Sequence, residues 1–330
     1  MKGINTIGLQ KDLNQMNNIH PVFKKPMASD FEFQEELKKF PDLDVLRQNL
    51  EELIRTDKSQ LSQAEIRELF FNKAIVQPFS YREYNSKQFR PNSIWRARKN
   101  INELTEDIGD PKCYSYPPSK FCFENGRANL KGKSVFYCAI EPVTPLIEIK
   151  PQAGDTVYLS EWEYNCLRNI RLACYIPLAI PKTNPWYNIA QQQFEAILKH
   201  SGEIGNQKAQ HLAMVTTFVG KAFIEEQPPY CLTSWLSDEA LYGYAGIDII
   251  VYPSIQRSMV SCNLALLPTF VDECLKCRKI YKLKFTEVGK ATVKYHVEKV
   301  GISDNGSFIW HDPQEEDDLN LPGAITEVIH

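Results

Sequence analysis

No glycine-rich phosphate loop runs through this sequence. With 15 glycines in 330 residues, it contains neither a G-x-G-x-x-G stretch nor a G-x-x-x-x-G-K-[S/T] stretch. That argues against a Rossmann or P-loop enzyme. A long apolar run is also missing. The longest, "LACYIPLAIP" at 172–181, carries two prolines and is too short to span a bilayer. The opening "MKGINTIGLQKDLNQ" has no continuous apolar stretch and does not read as a signal peptide. Excess charge of one sign is absent: the formal net charge is -3, so the whole chain is no electrostatic match for nucleic acid. The six histidines are scattered and no G-x-S-x-G elbow occurs. The lone C-x-x-C, "CLKC" at 274–277, has no second pair or spaced histidines to complete a zinc set. No metal site is expected.

What is there suits a globular chain. Apolar residues make up 43% and charged residues 24%. Nine cysteines, an odd number, include several inside apolar runs such as "VFYCAI" and "RLACYI". Free cysteine in a reducing compartment behaves as a small hydrophobe. The expectation is a soluble cytoplasmic protein, with the "CLKC" cysteines as free thiols. His211, in "AQHLAM", reads as a helix-surface histidine.

Residues 1–28 are polar and Asn-rich, and a poorly ordered start is expected. From Ser29 the pattern turns helical. "PDLDVLRQNLEELIRTD" sets Leu43, Val45, Leu46, Leu50 and Leu53 near helical spacing, and Ser62 and Glu65 stand at capping-box spacing. The segment 29–90 therefore reads as a helical N-terminal subdomain. Strands follow at 92–99 ("NSIWRARK") and 134–140 ("SVFYCAI"), then helical turns at 142–150 ("PVTPLIEIK") and a strand after the Gly-Asp turn of "QAGDTVYLSEWEY". The region 184–227 is helical, with Leu212, Val215, Phe218, Val219 and Phe223 on one face, and "YCLTSWLSDEALYG" adds a short helix. "IDIIVYPS" and "SCNLALLP" read as buried strands. The segment 271–330 alternates like an antiparallel meander and ends in "HDPQEEDDLN", which reads as an acidic, solvated end. No repeat and no βαβ rhythm appears, so the class is α+β.

Four residues stand out by context. Glu148 lies among Leu146, Ile147 and Ile149, where an amphipathic segment wants an apolar residue. Arg96 alternates with Trp95 and Ala97 in "IWRAR". Arg127, in "NGRAN", follows a glycine that permits close backbone approach. Ser254 ends an apolar strand. Guanidinium groups bind pyrophosphate bidentately. Taken singly, each residue has an ordinary explanation as an exposed helix position, a surface arginine or a turn hydroxyl.

Their order along the chain resembles the RES-domain family, named for its Arg, Glu and Ser. The segments that carry the resemblance are "WRAR" at 95–98, "GRANLKGKSVFY" at 126–137, "EPVTPLIE" at 141–148, "GIDIIVYPS" at 246–254 and "NLALLP" at 263–268. Together they cover about 91–270, and Ala128 stands where the family pattern has tryptophan. The resemblance implies split sheets like those of ADP-ribosyltransferases, with the N-terminal helices and a strand-rich extension at 271–330 as additions. It also implies cleavage of NAD at the nicotinamide–ribose bond by phosphorolysis or hydrolysis, as in toxins of toxin–antitoxin pairs or defence effectors. NAD would be the substrate, with inorganic phosphate as a co-substrate in the first case. A separate antitoxin or immunity protein would plug the cleft. Protein ADP-ribosylation and a degenerate module that binds nucleotide or a partner without turnover stay open, as does the oligomeric state, a homo-oligomer included. The leaving group is already cationic, so the site needs a fixed negative group near an oxocarbenium-like ribose rather than a general acid. Glu148 would fill that role, with Arg96 and Arg127 on the diphosphate or an incoming phosphate. Tyr137 would line the nicotinamide pocket, and Ser254 would bond the carboxamide or acceptor. Tyr252 and Asn263 are secondary candidates.

Overall fold

A computed structural model of the chain describes residues 38–76, 81–199, 205–243, 245–289, 293–317 and 319. The expected loose start at 1–28 lies outside these residues, as does most of the helix expected from Ser29.

Two helices open the described chain. In α1 (Leu43–Arg55), Leu46, Leu50 and Leu53 recur every three to four residues and all are buried. Helix α2 (Gln63–Ala74) begins on a complete capping box: Ser62 Oγ accepts the Glu65 amide, and the Glu65 carboxylate accepts the Ser62 amide.

Among the described residues, ten strands then form two five-stranded sheets. The first sheet contains β1 (Tyr81–Tyr84), β3 (Phe136–Cys138), β5 (Ile170–Cys174), β6 (Ile249–Pro253) and β7 (Cys262–Leu266), in the order β1-β5-β6-β7-β3. Among the described strands of this sheet, β5 and β6 form the one parallel pair. The second contains β2 (Ile94–Lys99), β4 (Thr156–Tyr164), β8 (Leu275–Val288), β9 (Val293–Asp304) and β10 (Ser307–His311), antiparallel in the order β10-β9-β8-β4-β2. The class is α+β. The segments read as a helical start and as an extension each donate strands: β1 pairs with β5, and β8 pairs with β4.

Strand periodicity sorts the core. Ile249, Val251, Leu264 and Leu266 face inward onto Ile94, Trp162 and Ile280 of the second sheet. Ile250, Tyr252 and Ala265 face outward under α1, α2, α5 (Asn206–Glu225) and α6 (Cys231–Leu241). All five residues expected on one face of the 206–225 helix are buried, each stabilising by roughly 1.5–3 kcal/mol. The outer face of the second sheet, with Val157, Leu159, Leu283 and Phe285, is covered by Val143 and Leu146 of the short helix α3 (Val143–Glu148). Helices α4 (Tyr187–Lys199) and α7 (Pro268–Cys274) complete the regular elements named here. No helix among the described residues is long and apolar enough to cross a membrane.

Three expectations need correction. His211 is buried, 2% exposed, because Phe40 and Pro41 cover that part of α5; its ring nitrogens each lie 2.6 Å from a carbonyl, of Gln207 and of Pro41. The "CLKC" thiols are not both free. The ladder pairs Tyr164 with Leu275, so the chain just beyond brings Cys166 to Cys274, and the two form a disulfide while Cys277 stays free. The acidic end is not wholly solvated. Asp317 is buried against Lys279 at 2.5 Å, and buried Leu319 accepts the Tyr295 hydroxyl through its carbonyl.

Burial alone would push the Asp317 carboxyl up, but Lys279 and the Gln314 amide more than offset it and hold it below the usual aspartate range. A depressed folded-state pKa adds stability that is present above the unfolded value of about 3.9 and lost as pH falls through the folded one. Asp317→Asn should therefore lower the urea midpoint at pH 7, with the gap to the parent closing as pH drops from about 5 to 2. An equal gap across that range in equilibrium denaturation would count against the ion pair.

Candidate active site

The two sheets meet edge to edge over one residue pair. Trp95 of β2 and Ala139, just past β3, exchange both backbone hydrogen bonds, at 2.7 and 2.9 Å. Helix α3 sits beside this seam and turns two faces to two sheets. Val143 and Leu146 pack on the second sheet. Thr144 and Glu148, four residues apart and hence on one face, reach the first. Thr144 Oγ1 donates to Ser261 Oγ at 2.9 Å. Glu148 Oε1 accepts from Ser254 Oγ at 2.5 Å and from Asn263 Nδ2 at 2.8 Å. A carboxylate at a helix C-terminus meets the negative end of the dipole, and two donors on one oxygen offset that penalty. Oε2 receives no hydrogen bond among the described residues, and Glu148 is half-buried. This oxygen is the one free for a ligand.

Ser254 is fixed from both sides. Its hydroxyl accepts the Arg257 amide at 3.2 Å while donating to Glu148. The loop from Ser254 to Ser261 doubles back through Ser258 and Met259, both at positive φ, and the Met259 amide returns to the Ser254 carbonyl at 2.8 Å. The β6–β7 register sets Tyr252 opposite Asn263, and the β3–β7 register sets Tyr137 opposite Ala265. Tyr137, Tyr252 and Asn263 thus share the outward face of the first sheet.

The "NGRAN" loop wraps around one hydroxyl. Tyr137 Oη donates to Asn129 Oδ1 at 2.8 Å and accepts the Ala128 amide at 2.9 Å. A Cβ on Gly126 would lie 2.3 Å from Asn129 Oδ1 and 2.6 Å from Tyr137 Oη, so the loop closes only with glycine there. Ala128 is buried in the helix-side core. The loop sends Arg127 to the C-terminal end of α5. There its guanidinium donates to the carbonyls of Phe223 at 2.6 Å and Glu226 at 3.2 Å, with the Tyr230 ring 4.6 Å away. A cation at a helix C-terminus is favourably placed.

Arg96 reaches across the seam. It donates to the Tyr137 carbonyl at 2.9 Å and lies 5.2 Å from the centre of the Phe136 ring, while its Nε is buried without a partner. Burial, with Arg98 adding, brings its pKa down to about 10, so it stays charged at neutral pH. Burial raises the Tyr252 phenol well above its ordinary value; Tyr137 and Glu148 add to the effect and Arg127 opposes it. The phenol is neutral and 4% exposed, a wall rather than a reactant.

Glu148, Ser254 and Asn263 are therefore in direct contact. Arg96 and Tyr137 are joined through one carbonyl, and Arg127 is held by the loop that grips Tyr137. The sequence reading missed Thr144, Asn129 and Arg257. Thr144 was signalled by its four-residue spacing from Glu148. Arg257 follows Ser254 by three residues, and its side chain has a buried Nε and no partner among the described residues. No group of three or more His, Cys, Asp or Glu side chains stands where it could hold a metal ion among those residues.

Gly126→Ala tests the loop. Its methyl must displace Asn129 or the Tyr137 hydroxyl, which should cost about 1–3 kcal/mol of stability in chemical denaturation; an unchanged midpoint would mean that the loop yields freely.

No protein-family model and no curated protein sequence matches the chain.

Proposed function

We propose that this chain cleaves the nicotinamide–ribose bond of NAD, on split sheets of the ADP-ribosyltransferase kind, as the RES-like order of its motifs implies. One observation carries the reading. A single half-buried carboxylate, Glu148, with one oxygen free, belongs to a site whose three arginines, Arg96, Arg127 and Arg257, have no acidic partner among the described residues. Cations without carboxylate counter-charges, one of them, Arg96, desolvated, favour an anionic ligand, and a dinucleotide diphosphate supplies two negative charges.

In this reading Ser254 and Asn263 hold Glu148 Oε1, so that Oε2 meets the ribose hydroxyls and the positive charge that grows as the C–N bond lengthens. Nicotinamide leaves as a neutral molecule and needs no proton. Ser254 acts as a positioning residue, since its hydroxyl already accepts one hydrogen bond and donates another. Arg96, whose Nε is buried and unpaired, would have to turn toward the diphosphate or an incoming phosphate to bond it. Arg127, bound to the α5 carbonyls, adds positive charge to the same wall, and the Tyr137 ring lines the pocket. A separate antitoxin or immunity protein remains the expected partner.

The test is incubation of purified protein with NAD labelled in its adenylate half, with and without inorganic phosphate, followed by separation of the products. Free nicotinamide is the expected outcome. Label in a phosphorylated small molecule, in ADP-ribose or on protein assigns the acceptor, and intact NAD under all conditions rejects the reading. Glu148→Gln keeps an oxygen for Ser254 and Asn263 but loses the charge. It should slow nicotinamide release by about 100-fold or more with an unchanged melting temperature, and release at the parental rate would remove Glu148 from its role. Arg96→Lys keeps the charge without the planar fork; KM for NAD should rise about tenfold with kcat less affected, and an unchanged KM would free Arg96 from substrate binding.

A further inference from the structure

Helix α3 is six residues long and has little of its own to hold it. Its N-cap, Pro142, makes no side-chain cap, and Pro145 has no N–H to give to the first turn. A helix this short does not persist alone in water, so its neighbours set how it is turned about its axis. Val143 and Leu146 lie on the second sheet, but apolar contact is non-directional and tolerates rotation. The rotation matters: one residue is about 100° of turn, and Glu148 has one oxygen to keep clear.

Directional contacts come from the face toward the first sheet. Thr144, one helical turn before Glu148, is 0% exposed, and its hydroxyl meets that of Ser261, itself 1% exposed, at 2.9 Å. Glu141 Oε2 lies 3.3 Å from the same Thr144 oxygen. Ser261 is fixed in turn. Its carbonyl accepts the Ser254 amide at 2.9 Å, which carries the β6–β7 ladder one step past Pro253 and Cys262. Asn263, which donates to Glu148, stands two residues further along, on the same face of the strand. Four residues of helix rise about 6 Å, and two residues of strand about 6.6 Å. Thr144 on Ser261 and Glu148 on Asn263 are therefore two pegs at matched spacing. Together they fix the turn of α3, where either alone would leave a pivot.

We propose that Thr144 is a positioning residue for the cleft: its hydroxyl, paired with that of Ser261, holds α3 at the rotation that leaves Glu148 Oε2 open to a ligand. Its role in turnover rests on the NAD reading; the anchoring of α3 does not. Thr144 is wholly buried and acts through Glu148, whose Oε1 bonds would otherwise have to orient the helix by themselves.

Thr144→Val keeps the branched shape and loses the hydroxyl, and Thr144→Ser keeps the hydroxyl. With NAD, Thr144→Val should lose about 10- to 100-fold in kcat with KM little changed, because Arg96 and Tyr137 are untouched. Thr144→Ser should recover most of that loss. Ser261→Ala removes the other end of the pair, and the double variant should fall no further than Thr144→Val alone. Melting temperatures check that each variant is folded, and Ser261→Ala stands in if Thr144→Val is not. Hydrogen exchange of the α3 amides, followed by mass spectrometry on the full chain, reads the anchor without substrate. It should quicken in Thr144→Val and stay near the parental rate in Thr144→Ser. A parent that leaves NAD intact rejects the NAD reading and the role in turnover with it, and the exchange alone then decides the anchoring. An active parent with its kcat kept in Thr144→Val, or equal exchange in all three proteins, overturns the proposal and leaves the NAD reading standing.

Discussion

The site depends on a seam whose backbone ladder, among the described residues, is a single residue pair. Beyond Trp95 and Ala139 the edges of the two sheets diverge, and backbone groups on a diverging edge need other partners. Arg96 supplies one by taking the Tyr137 carbonyl. Helix α3 occupies the same neighbourhood, with its apolar residues on one sheet and Thr144 and Glu148 on the other. Had β2 and β3 paired along their full length, the two sheets would have merged into one continuous sheet beside Glu148. The short ladder of β3, three residues long, is therefore part of how the site is made.

Around Glu148 the structure gives up stability for placement. Ser258 and Met259 adopt left-handed backbone without being glycine, at a cost of order 1–3 kcal/mol each. The Met259 amide and carbonyl are both held, the carbonyl by Asn184 at 2.8 Å. The result is a tight return that aims the Arg257 amide at Ser254. Strain, a carboxylate at the wrong end of a helix dipole and guanidiniums without acids all fall within one region.

Much of the fold was legible because its signals are local. The buried strand "IDIIVYPS", the single apolar face of 206–225 and the Ser62–Glu65 capping box each follow from short-range pattern. Glu148 was legible for the opposite reason, as a break in such a pattern. Pairing across long separations was not legible. Nothing in "YREY" says that it joins a sheet begun far downstream, and nothing in "CLKC" says that register will bring Cys274 to Cys166. His211 was misread because its cover, Phe40 and Pro41, comes from another element altogether. Asn129 was missed because its partner, Tyr137, becomes visible only once the loop closes around it, although the glycine at 126 already hinted at a close approach.

The composition of the second sheet sets an order in time. Its strands β2 and β4 leave the ribosome by residue 164, but β8 to β10, which cover the other edge of β4, lie between Leu275 and His311. Until those residues emerge, the strand that carries Arg96 belongs to a two-stranded ribbon, which is marginal in water. Nascent chains fold from the N-terminus as they appear, yet here the sheet that carries Arg96 must wait for residues 275–311. The strand that carries Arg96 thereby gains its full backing only after residues far downstream of it have been made.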